Sequence, residues 1–109
     1  MAIELPQPIR RYFETESSND TAGMADLFAT DAVVIDESRT HKGLAAIQAW
    51  KQEAKAATSY QVTPLEAEQD GQRYVVTGNV EGSFPGSPVQ LRYFFTLADD
   101  RIASLEIRP

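Results

Sequence analysis

Cysteine is absent from this sequence, and histidine occurs once, as His41. Without cysteine there is no disulfide framework, no thiolate nucleophile and no thiolate metal site. A single imidazole also excludes a multi-histidine metal centre built within one chain. Apolar runs are short: none exceeds the length of Ala32-Val33-Val34-Ile35, whereas a membrane helix needs roughly 20 apolar residues. Residues 1–25 show no basic start followed by an apolar block, so no secretory signal is expected and the expected location is cytoplasmic. Positive charge is scarce, with 10 Lys and Arg against 16 Asp and Glu and a formal net charge of −6. An acidic surface repels phosphate, which makes nucleic acid and anionic membrane poor partners.

What remains is an ordinary globular composition. The 109 residues are 42% apolar and 24% charged, enough for one domain over residues 1–109 with its own core. Pro6 and Pro8 precede Ile9, Tyr12, Phe13 and Glu16 at helical spacing, predicting a helix over residues 8–18. Asp20-Thr21 offers a cap, and Met24, Leu27 and Phe28 form a second stripe, predicting a helix over 21–29. Asp31-Ala-Val-Val-Ile-Asp36 is a β-branched run of strand length. The segment 37–43 reads as a polar turn. Leu44, Ile47 and Trp50 place a third helix over 43–56.

The remainder alternates like sheet. Asp70-Gly71 and Asp99-Asp100 mark hairpin turns, and Pro85-Gly86-Ser87-Pro88 another. Helices early and hairpins late predict an α+β fold, with helices on one face of a curved, mostly antiparallel sheet of about five strands. The strand 89–97 carries Leu91, Tyr93, Phe95 and Leu97 on one face and Arg92, Phe94 and Thr96 on the other. Apolar groups on both faces imply that one face meets the helices and the other a second subunit, or else extra core packing.

Several residues are candidates for chemistry. Asp36 ends the first strand on the side of Ala32 and Val34, the apolar setting of a general base, although aspartate also opens turns. Tyr12 lies on the apolar stripe of its helix and either donates to a developing oxyanion or simply packs. Arg92 either clamps a carboxylate or extends to solvent. Trp50 is a core residue or a pocket wall. His41 reads as a solvated loop residue. No phosphate-binding loop, dinucleotide-binding glycine pattern, metalloprotease helix or nucleophile elbow is present.

Taken together, Arg11-Tyr12-Phe13, the stretch Asp26-Leu-Phe-Ala-Thr-Asp-Ala-Val-Val-Ile-Asp36 and Lys42-Gly-Leu-Ala-Ala-Ile-Gln-Ala-Trp50 resemble the NTF2-like superfamily, in its SnoaL-like and ketosteroid-isomerase-like branch. The resemblance implies a cone: three N-terminal helices packed on a strongly curved, mostly antiparallel sheet. It further implies Asp36 as general base and Tyr12 as oxyanion donor, in a pocket lined by Phe28, Val34, Trp50, Arg92 and Phe94. Arg92 stands where the isomerase has a second, protonated acid, so steroid isomerisation itself is not implied. On this reading Arg92, Phe94 and Thr96 face the pocket, and Leu91, Tyr93, Phe95 and Leu97 form the outer side of a homodimer. The implied ligand is a small hydrophobic or carbonyl-bearing molecule, with no metal and no organic cofactor. A non-catalytic ligand-binding or assembly module is the alternative, and a protein-partner domain using the exposed sheet a third reading.

Overall fold

The computed structural model describes residues 5–16, 26–57 and 60–109. Helix α1 spans Gln7–Glu16, followed by strand β1 (Phe28–Asp36) and strand β2 (Arg39–Lys42). Helix α2 (Leu44–Ala57) then leads into β3 (Tyr60–Asp70), β4 (Arg73–Gly82), β5 (Val89–Ala98) and β6 (Arg101–Arg108). The six strands form one sheet in the order β2-β1-β6-β5-β4-β3. All neighbours run antiparallel except β1 and β6, which are parallel. The fold is α+β, as the sequence pattern predicts.

Both described helices follow their apolar spacing. Ile9, Tyr12 and Phe13 of α1 are buried, and the Arg10 amide closes the first turn on the Pro6 carbonyl at 3.0 Å. In α2, Ile47, Trp50 and Lys51 are buried and share one face at i, i+3 and i+4. Gly43, at φ 89°, precedes this helix. Its conformation is one that residues with a Cβ adopt at a cost.

The helix expected over 21–29 falls mostly outside the described residues, but its last positions, Phe28 and Ala29, belong to β1. Phe28 pairs with Ile102 of β6, and the Ile102 amide donates to the Leu27 carbonyl at 2.7 Å. Pairing with a distant strand overrides the short helical spacing of Leu27 and Phe28. The polar segment 37–43 is also more structured than a turn. Glu37 and Ser38, at φ 53° and 64°, make a two-residue reversal, and Arg39–Lys42 returns along β1 as an edge strand.

The faces of β5 are the reverse of those implied by the family resemblance. Tyr93 and Phe95 are buried against α1, and Leu91 points to the same side. Tyr12 meets Phe95 edge-on with ring centroids 5.5 Å apart, and Phe13 meets Tyr93 at 5.2 Å. Leu91, Tyr93, Phe95 and Leu97 are therefore the core side of the strand, not an outer interface. Arg92 and Phe94 lie on the opposite face, where Arg73, Arg92 and Arg108 surround the Phe94 ring. Burying four large apolar side chains outweighs burying one phenylalanine and a cation.

Gly78 of β4 sits directly beneath this core. A Cβ at position 78 would lie 3.0 Å from Tyr93 Cε1 and 3.0 Å from Val62 Cγ1. Both neighbours are buried, so neither yields easily. Gly78→Ala is expected to destabilise by about 1–3 kcal/mol through overpacking. Chemical denaturation measures it, and an unchanged midpoint would show that Tyr93 swings aside.

Candidate functional site

Between α2 and the inner face of the sheet lies a partly open cavity of about 540 Å³, within the usual range for small-molecule sites. Its apolar wall comes from Val80 of β4, Phe84, Val89, Leu91 and Tyr93 of β5, and Ile107 of β6. Its polar groups come from β1, β2 and α2. Asp36 stands at the end of β1, on the side of the buried Ala32 and Val34.

The Glu37-Ser38 reversal then places Arg39 opposite Asp36 and His41 opposite Val34, and both Arg39 and His41 line the cavity. Two consecutive non-glycine residues in the left-handed region store about 1–3 kcal/mol each. The strain is spent on the bend that brings β2 to the cavity.

Trp50 ties the two sides together. Its indole Nε1–H donates to Asp36 Oδ2 at 3.0 Å, which fixes the carboxylate against α2. No other side-chain hydrogen bond reaches Asp36 among the described residues. The His41 ring lies 5.8 Å from the Trp50 ring at a tilt of 32°. Trp50 is thus both core and cavity wall.

Lys51, the neighbour of Trp50, is the buried charged side chain of the described core, 2% exposed. Its Nζ donates to Tyr60 Oη at 3.1 Å, reaches Tyr12 Oη at 3.5 Å and stands 4.3 Å from the Trp50 ring centroid. Lys51 and Tyr60 both line the cavity.

Of the residues singled out in the sequence, Asp36 and Trp50 line the cavity. Tyr12 is fully buried behind it, with its hydroxyl against Lys51 and its ring among Phe13, Phe28, Tyr93 and Phe95. Phe28 and Val34 are buried core residues outside the cavity lining. Arg92 and Phe94 face away from it, for the reason given above. The sequence does not single out Lys51 or Tyr60, and it reads His41 as a solvated loop residue, whereas His41 lines the cavity. The signal for Lys51 was its place four residues after Ile47, on the apolar stripe of α2. Among the described residues no cluster of three or more His, Cys, Asp or Glu could hold a metal ion.

The model of the SnoaL-like domain matches residues 9–105. The chain belongs to the SnoaL-like domain family. A candidate polyketide cyclase from Sinorhizobium meliloti is 49% identical to this SnoaL-like chain over 95% of each, with a TM-score of 0.91. A protein of ketosteroid-isomerase-like fold from Catenulispora acidiphila, solved with trimethylamine, is 18% identical over 97% of this chain and 87% of its own, with a TM-score of 0.86. The epoxide hydrolase/cyclase-like enzyme SalBIII, of pyran ring formation in salinomycin, is 18% identical over 94% of this chain and 87% of its own, with a TM-score of 0.79. The last two likenesses establish the shared NTF2-like fold. Among curated proteins, none matches the sequence.

Proposed function

We propose that this SnoaL-like domain is a small-molecule acid–base enzyme in which Asp36 removes a proton alpha to a carbonyl. The observation that carries this reading is the Asp36 carboxylate at an apolar cavity wall, held on one oxygen by the Trp50 N–H. A positioned carboxylate beside apolar surface is a competent general base for an activated C–H bond. The candidate cyclase assignment of the 49% identical relative supports the same chemistry. In an aldol cyclisation the α-proton passes to Asp36 and the C–H pair becomes an enolate. The enolate carbon then attacks a second carbonyl of the same molecule, forming a C–C bond, and the resulting alkoxide takes up the proton.

A ligand-binding module without turnover is the second reading. It is favoured by Tyr12 lying behind the cavity and Arg92 lying on the other face of the sheet.

A thermal-shift titration with planar phenols, which mimic an enol, separates the two. A ligand specific to the folded state raises the melting temperature by mass action. Phenols are expected to bind the wild type, and Asp36→Asn to bind them about tenfold more tightly, because the negative charge beside the electron-rich ring of the enol mimic is gone. Equal affinity for wild type and Asp36→Asn would favour the binding module.

A further inference from the structure

The inner end of the cavity holds a feature that base catalysis at Asp36 does not use. Lys51 projects from α2 into the space between helix and sheet, where its ammonium meets two phenols and the Trp50 ring rather than solvent. Removing an ammonium from water is unfavourable unless its surroundings compensate. Two hydroxyl acceptors and an indole face are among the groups that compensate it. A methionine at this place on the stripe would be simpler packing, since the flanking Ile47 and Trp50 are apolar. The cation also lines the cavity wall, beside Tyr60.

From these contacts we infer that Lys51 and Tyr60 form an oxyanion subsite, which takes the enolate oxygen or carboxylate of the ligand while Asp36 faces its α-carbon. The inference rests on the cavity being the ligand site proposed above. One indole spans both groups: its Nε1–H holds Asp36, and Lys51 Nζ stands by the ring. A flat ligand lying along Trp50 therefore reaches the carboxylate and the ammonium at once. The ammonium donates to Tyr60 Oη, and a phenol polarised in this way is a better donor in turn. Tyr12 acts behind Lys51 as a positioning residue, its hydroxyl on the far side of the ammonium from the ligand. A cation here also explains how an enolate is stabilised with Arg92 turned away.

The test compares 2-naphthoate with its neutral isostere 2-naphthamide by calorimetric titration at neutral pH. Wild type, Lys51→Met, Tyr60→Phe, Arg39→Gln and Asp36→Asn are each measured. The wild type is expected to prefer the carboxylate by at least about tenfold, the strength of a charge-assisted contact. Lys51→Met should bring the ratio near one while leaving naphthamide binding in place. Tyr60→Phe should lower the ratio several-fold, and it carries the test if Lys51→Met does not fold. Arg39, the other cation of the cavity lining, is exposed to solvent on an edge strand, so Arg39→Gln should lower the ratio far less than Lys51→Met.

A carboxylate preference that survives in Lys51→Met, or that disappears in Arg39→Gln, overturns the subsite. Equal binding of the two probes by the wild type does the same. Binding of neither probe overturns both the subsite and the cavity as a ligand site. If Lys51→Met abolishes the preference but Asp36→Asn leaves phenol affinity unchanged, the subsite stands and the assignment of Asp36 as base falls.

Discussion

Phe95→Ala is expected to lower the melting temperature by about 15–25 °C, while Phe94→Ala, one residue away, moves it by only a few degrees. Phe95 is fully buried and packs against Tyr12 and Phe13 of α1, with Tyr93 stacked beside it. Truncating such a ring removes its transfer free energy and leaves a void that a sheet cannot collapse, a cost of about 3–5 kcal/mol. Against a total stability of roughly 5–15 kcal/mol, that is a large fraction. Phe94 is half-buried on the other face, and its loss removes mainly arginine contacts at the surface, worth less than about 1 kcal/mol each. Calorimetric unfolding of the two variants settles the direction of β5, because a one-residue slip would exchange their effects.

The second large effect is chemical. With Asp36→Asn, α-proton exchange of bound carbonyl compounds should slow by about 10²–10⁴-fold, the usual contribution of a general base. Loss of the α-C–H signals of cyclic β-diketones and β,γ-unsaturated ketones in D₂O, followed by NMR, measures it. The amide of asparagine keeps the shape and still accepts from Trp50, so a loss of this size reports basicity rather than packing. Trp50→Phe is the companion variant. It retains a ring beside Lys51 and His41 but removes the N–H that fixes Asp36, and its loss of rate should fall well short of that of Asp36→Asn. Exchange that proceeds at wild-type rate in Asp36→Asn would place the base elsewhere.

The parts of the fold legible in the sequence are those whose local pattern and tertiary role agree. Ile9, Tyr12 and Phe13 read as a helical stripe and are buried as one. Asp70-Gly71 reads as a hairpin turn, and Gly71 adopts φ 64° between β3 and β4. Strand β2 was hidden because its turn, Glu37-Ser38, has neither the glycine nor the asparagine that marks a positive-φ reversal. The orientation of β5 was hidden for a different reason. Alternation puts four apolar residues against one, which favours the observed burial, whereas the family resemblance sets Arg92 in the place of an acid of the isomerase and implies the inverse. For the site, the periodicity of β1 put Asp36 beside Ala32 and Val34. Lys51 is not legible in the same way, because a lysine in a helix reads as solvated unless its place on the stripe is weighed against its charge.

The strand that ends in Asp36 has a consequence for how the molecule is made. Its parallel neighbour is β6, so Phe28 pairs with Ile102 and Asp36 with Ile107, while β3, β4 and β5 pair with strands adjacent in sequence. Hairpins of the second kind close short loops early; the junction of β1 with β6 closes a very long one. During synthesis the β1–β2 hairpin leaves the ribosome with one edge open and waits for almost all the remaining residues before that edge is covered. The nascent chain is therefore most exposed to misassociation at the strand that carries its candidate base. The floor of the cavity is among the last pieces to be laid.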